Sequence, residues 1–212
     1  MIKMVAFDFD GTIADTVPMC IEAFRKAMLP YVGYSLSNQE ILATFGLNEI
    51  GMVKAIVKDN WKLALQDFYF YYEKMHDTCR TPFPWICNLI EELKGKNIIV
   101  PLITGKGQRS CEFSLKKMGL ENCFSEVMVG DKARNNKAES ISKLLEKYAV
   151  KRDEFYYVGD APTDVMACRE VGVTCLSAAW ADSVDLEKLQ EMNPEFIFCN
   201  MSDLKIFFES LW

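Results

Sequence analysis

Residues 5–16 read VAFDFDGTIADT, and this stretch determines how the rest of the chain is interpreted. Met4 to Phe9 has the pattern of a short strand, and Gly11 permits a tight turn directly after it. Asp8 and Asp10 alternate along an extended chain, so their side chains point to the same side. Ligands of open α/β sheets bind beyond the carboxyl ends of the strands. The stretch therefore predicts two carboxylates at the ligand-binding edge of a sheet.

Two neighbouring carboxylates raise each other's pKa unless a cation or a hydrogen-bond donor compensates their charge. A divalent metal is the simplest compensation, and Mg²⁺ prefers hard oxygen ligands and the company of phosphate. The residues alone leave a second interpretation open, in which Asp8 and Asp10 only stabilise a turn at the strand end. The remaining motifs of the chain distinguish the two.

The order of apolar residues followed by Asp-x-Asp-Gly-Thr at residues 8–12 resembles the first motif of the haloacid dehalogenase superfamily. The resemblance implies that Asp8 is a nucleophile that becomes an aspartyl-phosphate. It also implies that Asp10 protonates the leaving group and later activates water. Carboxylates are recognised phosphoryl acceptors, and a second acid supplies proton transfer. Because the dehalogenases of the superfamily lack the second aspartate, Asp10 indicates phosphorus chemistry.

Composition limits the classes of function. The chain has 212 residues, half of them hydrophobic, and a net charge of −6. This length suits one main domain with a modest insertion. The acidic balance argues against nucleic acid as a partner. Eight cysteines without a Cys-x-x-Cys pair favour reduced thiols. No apolar run reaches membrane-spanning length, and the polar start fits no signal peptide. We expect a cytoplasmic protein with no membrane partner.

The pattern of secondary structure changes near residue 82. Residues 16–82 have helical patterns with no convincing strand, whereas strands and helices alternate from residue 83 onward. Alternation of this kind predicts a parallel, doubly wound sheet. The expected fold is therefore α/β, with a Rossmann-like parallel core of residues 1–15 and 83–212, helices on both faces of the sheet, and an inserted all-helical domain of residues 16–82. The resemblance implies that the insert is a C1 cap of the phosphoglycolate-phosphatase-like branch.

Within the insert, the predicted helices are Pro18–Leu29, Ser37–Phe45, Gly51–Trp61 and Lys62–Asp77. Pro30 is expected to end the first, and Ser37 with Glu40 forms a capping box at the second. Five consecutive aromatic residues at 68–72 cannot share one helical stripe, so some should face another surface such as the core domain. We interpret His76 as a structural residue.

A polar group also follows the strand predicted at Ile98–Ile103. Thr104 and the backbone N–H of Gly105 could donate to phosphate oxygens, and the helix that follows favours an anion at its N-terminus. This resembles the second motif of the superfamily. The resemblance implies that Thr104 and Gly105 bind the phosphoryl group, together with Gly11 of the first motif.

The third and fourth motifs come from two later loops. The stretch Lys137-Ala138-Glu139-Ser140 resembles the superfamily's Lys-Pro-x-Pro, although both prolines are missing, and Lys132 stays an alternative for this lysine. The residues from Gly159 through Asp164 resemble the fourth motif, which implies that Asp160 binds magnesium directly and that Asp164 acts through water or another ligand. The predicted metal ligands are Asp8, Asp10, Asp160 and Asp164, and the predicted catalytic residues are Asp8, Asp10, Thr104 and Lys137.

Together these motifs predict a Mg²⁺-dependent phosphatase that hydrolyses a small phosphomonoester, similar to phosphoglycolate or a sugar phosphate, through Asp8. Two alternatives stay open. One is a sugar phosphomutase of the β-phosphoglucomutase type, although those enzymes favour Gly-Val where this chain has Gly11-Thr12. The other is a non-catalytic binding protein on the same fold.

The partner is expected to be a small phosphorylated metabolite, and the protein a monomer or homodimer. Substrate specificity should come from the insert. Residues 44–47 are expected to face the cleft, and Arg25, Lys54 or Lys58 would be available if the substrate had a carboxylate or a second phosphate.

Overall fold

A computed structural model describes residues 1–211 and contains one six-stranded sheet. The strands are β1 (Met4–Phe7), β2 (Leu102–Ile103), β3 (Val127–Met128), β4 (Phe155–Gly159), β5 (Thr174–Ala178) and β6 (Ile197–Phe198). They are all parallel and lie in the order β3-β2-β1-β4-β5-β6. Their carboxyl ends therefore meet at one edge. The expected α/β class with a parallel sheet is confirmed.

The helices that follow and precede these strands account for most of the remaining chain. In chain order they are α1 (Val17–Val32), α2 (Asn38–Leu42), α3 (Glu49–Ile56), α4 (Trp61–Met75), α5 (Ile86–Gly95), α6 (Gln108–Met118), α7 (Lys137–Lys147), α8 (Pro162–Val171), α9 (Leu186–Met192) and α10 (Met201–Glu209). Short 3₁₀ turns cover His76–Thr78 and Arg152–Glu154.

Strand β1 lies near the centre of the sheet, and its four residues are fully buried. Val5 and Phe7 join one apolar cluster with residues of α5, α6 and α10. Met4 and Ala6 join a second cluster with residues of α7, α8 and α9. This alternation is the two-residue period of a strand covered on both faces. Helices therefore cover both sides of the sheet, as the sequence predicts.

The segment between β1 and α5 forms a third apolar cluster of its own, centred on α1 and α4. Phe24 of α1 packs edge-on against Phe68 of α4, with ring centroids 5.9 Å apart. Of the five consecutive aromatic residues, Phe68, Tyr69 and Tyr72 are buried whereas Phe70 is exposed. The domain boundaries themselves, at residues 15/16 and 82/83, stay a prediction.

Some element boundaries differ from the predicted ones because of two prolines. Helix α1 continues past Pro30 and ends at Gly33, whose φ is +80°. The prediction that Pro30 ends the helix is wrong: its missing N–H removes one helical hydrogen bond, but the last turn is still closed by the Gly33 N–H, which donates to the carbonyl of Leu29. The predicted strand at 98–103 is limited to Leu102–Ile103, with an isolated bridge from Met4 to Ile99. Pro101 has no N–H to donate, which explains the interruption.

Within residues 1–211, no helix combines the length and the apolar character needed to cross a membrane. All eight cysteines are free thiols, and Cys111, Cys168 and Cys175 are buried.

Candidate active site

Asp8 lies directly after β1 and is buried. Its Oδ1 accepts the backbone N–H of Phe9 at 2.7 Å, and its Oδ2 accepts Lys137 Nζ at 2.7 Å. Lys137 begins α7, is buried, and also donates to Asp164 Oδ1 at 2.5 Å. One ammonium group thus joins two carboxylates from separate elements.

Three carboxylates converge at the carboxyl ends of β1 and β4. Oxygens of Asp8, Asp160 and Asp164 all lie within 4.8 Å of one another. Asp160 follows β4, and Asp164 lies in the first turn of α8, where its Oδ2 accepts the N–H of Ala161 at 3.0 Å. Gly11 allows Asp160 to approach closely, because a methyl group on Gly11 would lie 2.2 Å from Asp160 Oδ2.

The charge of this cluster matches a divalent cation. Its three carboxylates and one lysine leave two negative charges uncompensated when all are ionised. Burial raises the pKa of Asp8 to about 7, with Lys137 opposing that rise and Asp164 adding to it. Burial and the charges of Asp8 and Asp164 also hold the pKa of Asp160 well above its usual range. Hard carboxylate oxygens fit Mg²⁺, so the residues present suit the expected metal.

Asp10 lies beside this cluster but not within it. Its Oδ1 is 2.8 Å from Lys106 Nζ and accepts Thr16 Oγ1 at 2.5 Å. Its side chain is 24% exposed, so the carboxylate is accessible from the neighbouring cavity. The carboxylate is therefore held in place by a cation and a hydroxyl, and its role as an acid or base stays a prediction. A direct metal contact of Asp10 stays a prediction.

Lys106 is a site residue that sequence analysis missed. It is buried, and it donates to the hydroxyl of Tyr72 at 2.7 Å as well as contacting Asp10. Burial opposes its charge, yet Asp10 and Tyr72 hold the pKa of Lys106 well above its usual value. Tyr72 belongs to α4, so Lys106 connects the insert to the edge of the sheet where Asp10 lies. The sequence does place Lys106 two residues after Thr104, in the loop at the end of a strand, and this position could have identified it as a site residue.

The second-motif residues lie at the carboxyl end of β2. Thr104 is buried, and its Oγ1 accepts the N–H of Lys106 at 3.2 Å. Gly105 lines the cavity next to Asp8. For the third motif, the structure brings Lys137 to Asp8, whereas the alternative Lys132 is exposed.

A cavity of about 120 Å³ opens between the sheet edge and the insert. Its lining residues are Asp8, Asp10, Val17, Cys20, Phe45, Gly46, Leu47, Glu49, Met52, Gly105, Lys106, Asn135, Lys137, Asp160, Ala161 and Thr163. Three of the four residues at 44–47 therefore face the cleft. Thr44 is buried and donates to the carbonyl of Ile41 at 2.7 Å.

Glu49 is the second residue that sequence analysis missed. It is buried at the start of α3, where it accepts the N–H of Gly107 at 2.9 Å and the hydroxyl of Ser110. Burial raises its pKa, against the opposing effects of Ser110 and Lys106. Gly107 and Ser110 belong to the start of α6, so Glu49 fixes the insert against the core.

The three cations suggested for substrate recognition do not line this cavity. Arg25 donates to the carbonyl of Leu36 at 2.8 Å, and Lys54 lies 4.1 Å from the ring centre of Trp61. Lys58 is exposed. Arg25 and Lys54 therefore contact other residues of the insert.

Comparisons with known proteins agree with this geometry. Residues 5–178 match the model of the haloacid dehalogenase-like hydrolases. A protein of Caldanaerobacter subterraneus subsp. tengcongensis, named provisionally as pyrophosphatase PpaX, is 29% identical over 206 residues, covering 96% of this chain and 93% of that protein. A phosphoglycolate phosphatase of Vibrio parahaemolyticus is 24% identical, covering 96% and 94%.

Solved structures show the same fold. A hydrolase from Pseudomonas syringae superposes with a TM-score of 0.82 at 20% identity, covering 98% of each chain. A haloacid dehalogenase-like family protein from Streptococcus pneumoniae superposes with a TM-score of 0.77 at 22% identity, again over 98% of each. The phosphatase names of the sequence relatives bear out the expectation of a phosphatase-type enzyme. The chain belongs to the haloacid dehalogenase-like hydrolase family.

Proposed function

We propose that this protein hydrolyses a small phosphomonoester, with Asp8 as the nucleophile and Mg²⁺ as the cofactor. The observation that carries the proposal is the arrangement around Asp8. Its carboxylate is buried, is fixed by Phe9 and Lys137, and lines a cavity that Asp10 also lines. A fixed carboxylate beside a second acid is the arrangement that covalent phosphoryl transfer needs.

In the first step, Asp8 attacks phosphorus and the bond to the leaving oxygen breaks. Asp10 gives its proton to that oxygen, so an alcohol departs and an aspartyl-phosphate remains on Asp8. In the second step, Asp10 takes a proton from water, and the water oxygen attacks phosphorus. The bond to Asp8 breaks, inorganic phosphate is released, and both aspartates return to their starting states.

The surrounding residues prepare this chemistry. Lys106 and Thr16 orient the carboxylate of Asp10 from two directions. Lys137 holds Asp8 and supplies one positive charge at the phosphoryl end of the cavity. Preorganised charges of this type stabilise the transition state more than they would in water.

Asp8, Asp160 and Asp164 would hold the Mg²⁺ ion. When bound, the ion supplies positive charge that neutralises the cluster and lowers the repulsion of an incoming phosphate. The phosphatase names of the relatives support a small phosphorylated molecule as the class of substrate.

The proposal is tested by measuring phosphate release with Mg²⁺ and without a bisphosphate activator. The substrates are p-nitrophenyl phosphate and a panel of small phosphomonoesters. We expect the wild type to turn over and Asp8→Asn to lose activity while it keeps its thermal unfolding temperature. Asp153→Asn, at an exposed position, is the matched control and should stay active. Turnover retained by Asp8→Asn, or a wild type inactive on the whole panel, would contradict the proposal.

A further inference from the structure

We propose that the leaving group of the substrate is a small uncharged alcohol, and that Glu49 with Lys106 excludes leaving groups that have a carboxylate or a second phosphate. This inference rests on the proposed function, because Asp10 identifies the side of the cavity where the leaving group departs.

Lys106 is the cation beside Asp10, and its ammonium group is already paired with the Asp10 carboxylate. Its Nζ lies 2.8 Å from Asp10 Oδ1 and donates to Tyr72 at 2.7 Å. The other lysine of the cavity, Lys137, is bound to Asp8 and Asp164. Among the described residues that line the cavity, these two are the only cations. A carboxylate on the leaving group would have to take Lys106 from Asp10.

Glu49 adds a negative charge on the same side. Both of its donors, Gly107 N–H and the hydroxyl of Ser110, are neutral, so no cation is paired directly with it. Glu49 lines the same cavity as Lys106 and Asp10, and its carboxylate interacts electrostatically with Lys106. Two carboxylates and one ammonium therefore line the part of the cavity where the leaving group is expected, and like charges brought together in a partly desolvated space repel strongly.

Apart from Glu49, the part of the lining that the insert supplies is apolar, and the cavity is small. Val17, Cys20, Phe45, Leu47 and Met52 supply this lining from the insert. Ligand pockets are usually several times larger than this cavity of about 120 Å³. The carbon–hydrogen groups of a short alcohol can pack against these apolar side chains. An ionic group would lose its hydration there without gaining hydrogen-bond donors.

The test compares 2-hydroxyethyl phosphate with 2-phosphoglycolate and pyrophosphate as substrates. We expect kcat/KM for 2-hydroxyethyl phosphate to exceed both others by about tenfold or more, which corresponds to one unfavourable charge contact. Glu49→Gln keeps the shape and removes the charge, so it should reduce this ratio severalfold. Glu191→Gln, on an exposed position of α9, removes the same charge elsewhere and should leave the ratio unchanged.

Binding separates this inference from the proposed function. Calorimetric titration with 2-hydroxyethylphosphonate and phosphonoacetate, in Mg²⁺ buffer, reports the same preference without hydrolysis. Tighter binding of 2-hydroxyethylphosphonate supports the inference even for a protein that turns over nothing. Equal or better use of phosphoglycolate or pyrophosphate by the wild type, or tighter binding of phosphonoacetate, would overturn it, whether or not Glu49→Gln folds.

Discussion

Lys106 Nζ lies 2.8 Å from Asp10 Oδ1, and the lysine side chain is only 3% exposed. The pair places a permanent positive charge against the proposed acid and base. Lys106→Met should therefore lower kcat by roughly 10²-fold, a loss typical of removing one preorganised charge. Steady-state hydrolysis with Mg²⁺ measures the effect. Lys116→Met, at an exposed position of α6, is the control, and equal activity of the two variants would contradict the role of Lys106.

Substituting Lys137 should impair the protein, whereas substituting Lys132 should not. Lys137 is bound to two buried carboxylates, whereas Lys132 is exposed. Lys137→Met should cost roughly 10²–10³-fold in kcat/KM. It should also lower the free energy of unfolding by about 3 kcal/mol, because it leaves buried charges unpaired. Urea unfolding and phosphate release measure both effects. Lys132→Met should change neither, and a loss confined to Lys132→Met would reverse the assignment.

Mg²⁺ should stabilise the folded protein through Asp8, Asp160 and Asp164. A ligand that binds only the folded state at a hundred times its Kd adds about 2.7 kcal/mol. The thermal unfolding temperature should therefore rise when Mg²⁺ is added and return when EDTA removes it. Asp160→Asn should weaken this response, whereas Asp153→Asn should keep it. An unfolding temperature insensitive to Mg²⁺ in the wild type would contradict the metal assignment.

His76 should make stability depend on pH. Its ring is buried, with Nε2 3.0 Å from Ser114 Oγ, and burial lowers its pKa below the usual 6.5, helped by Lys106 and Lys117. The unfolded chain therefore binds a proton at a higher pH than the folded chain does, so stability from the neutral ring is present above pH 6.5 and is lost as the pH falls below it.

Urea unfolding of the wild type and His76→Gln at pH 7.5 and 5.5 tests this dependence. The variant loses the packing of the ring at both pH values, whereas only the wild type loses stability when the ring is protonated. The difference in free energy of unfolding between the two proteins should therefore be smaller at pH 5.5. A difference that stays constant or grows on acidification would show that His76 does not titrate in this way.

The features predicted correctly are those that depend on the pattern of neighbouring residues along the chain. The alternation of Met4–Phe7 and the polar residues after each strand identify the sheet and the edge where Asp8 and Asp160 meet. Glu49 and Lys106 were missed because their partners are distant in the chain. Gly107 is 58 residues from Glu49, and Tyr72 is 34 residues from Lys106. Such pairs depend on how the insert docks, which no periodicity encodes.

The hydroxyl of Tyr72 has a consequence for motion of the insert. It is the one group from α4 that donates to or accepts from Lys106 within the described residues, and it also contacts Ser114 Oγ at 2.7 Å. If the helical segment swings outward to admit a ligand, Lys106 loses a buried acceptor and Asp10 loses part of its orientation. Closing of the insert would then enclose the bound ester and orient Asp10 in the same movement. While the insert is open, water can enter, but Asp10 is not yet oriented for proton transfer.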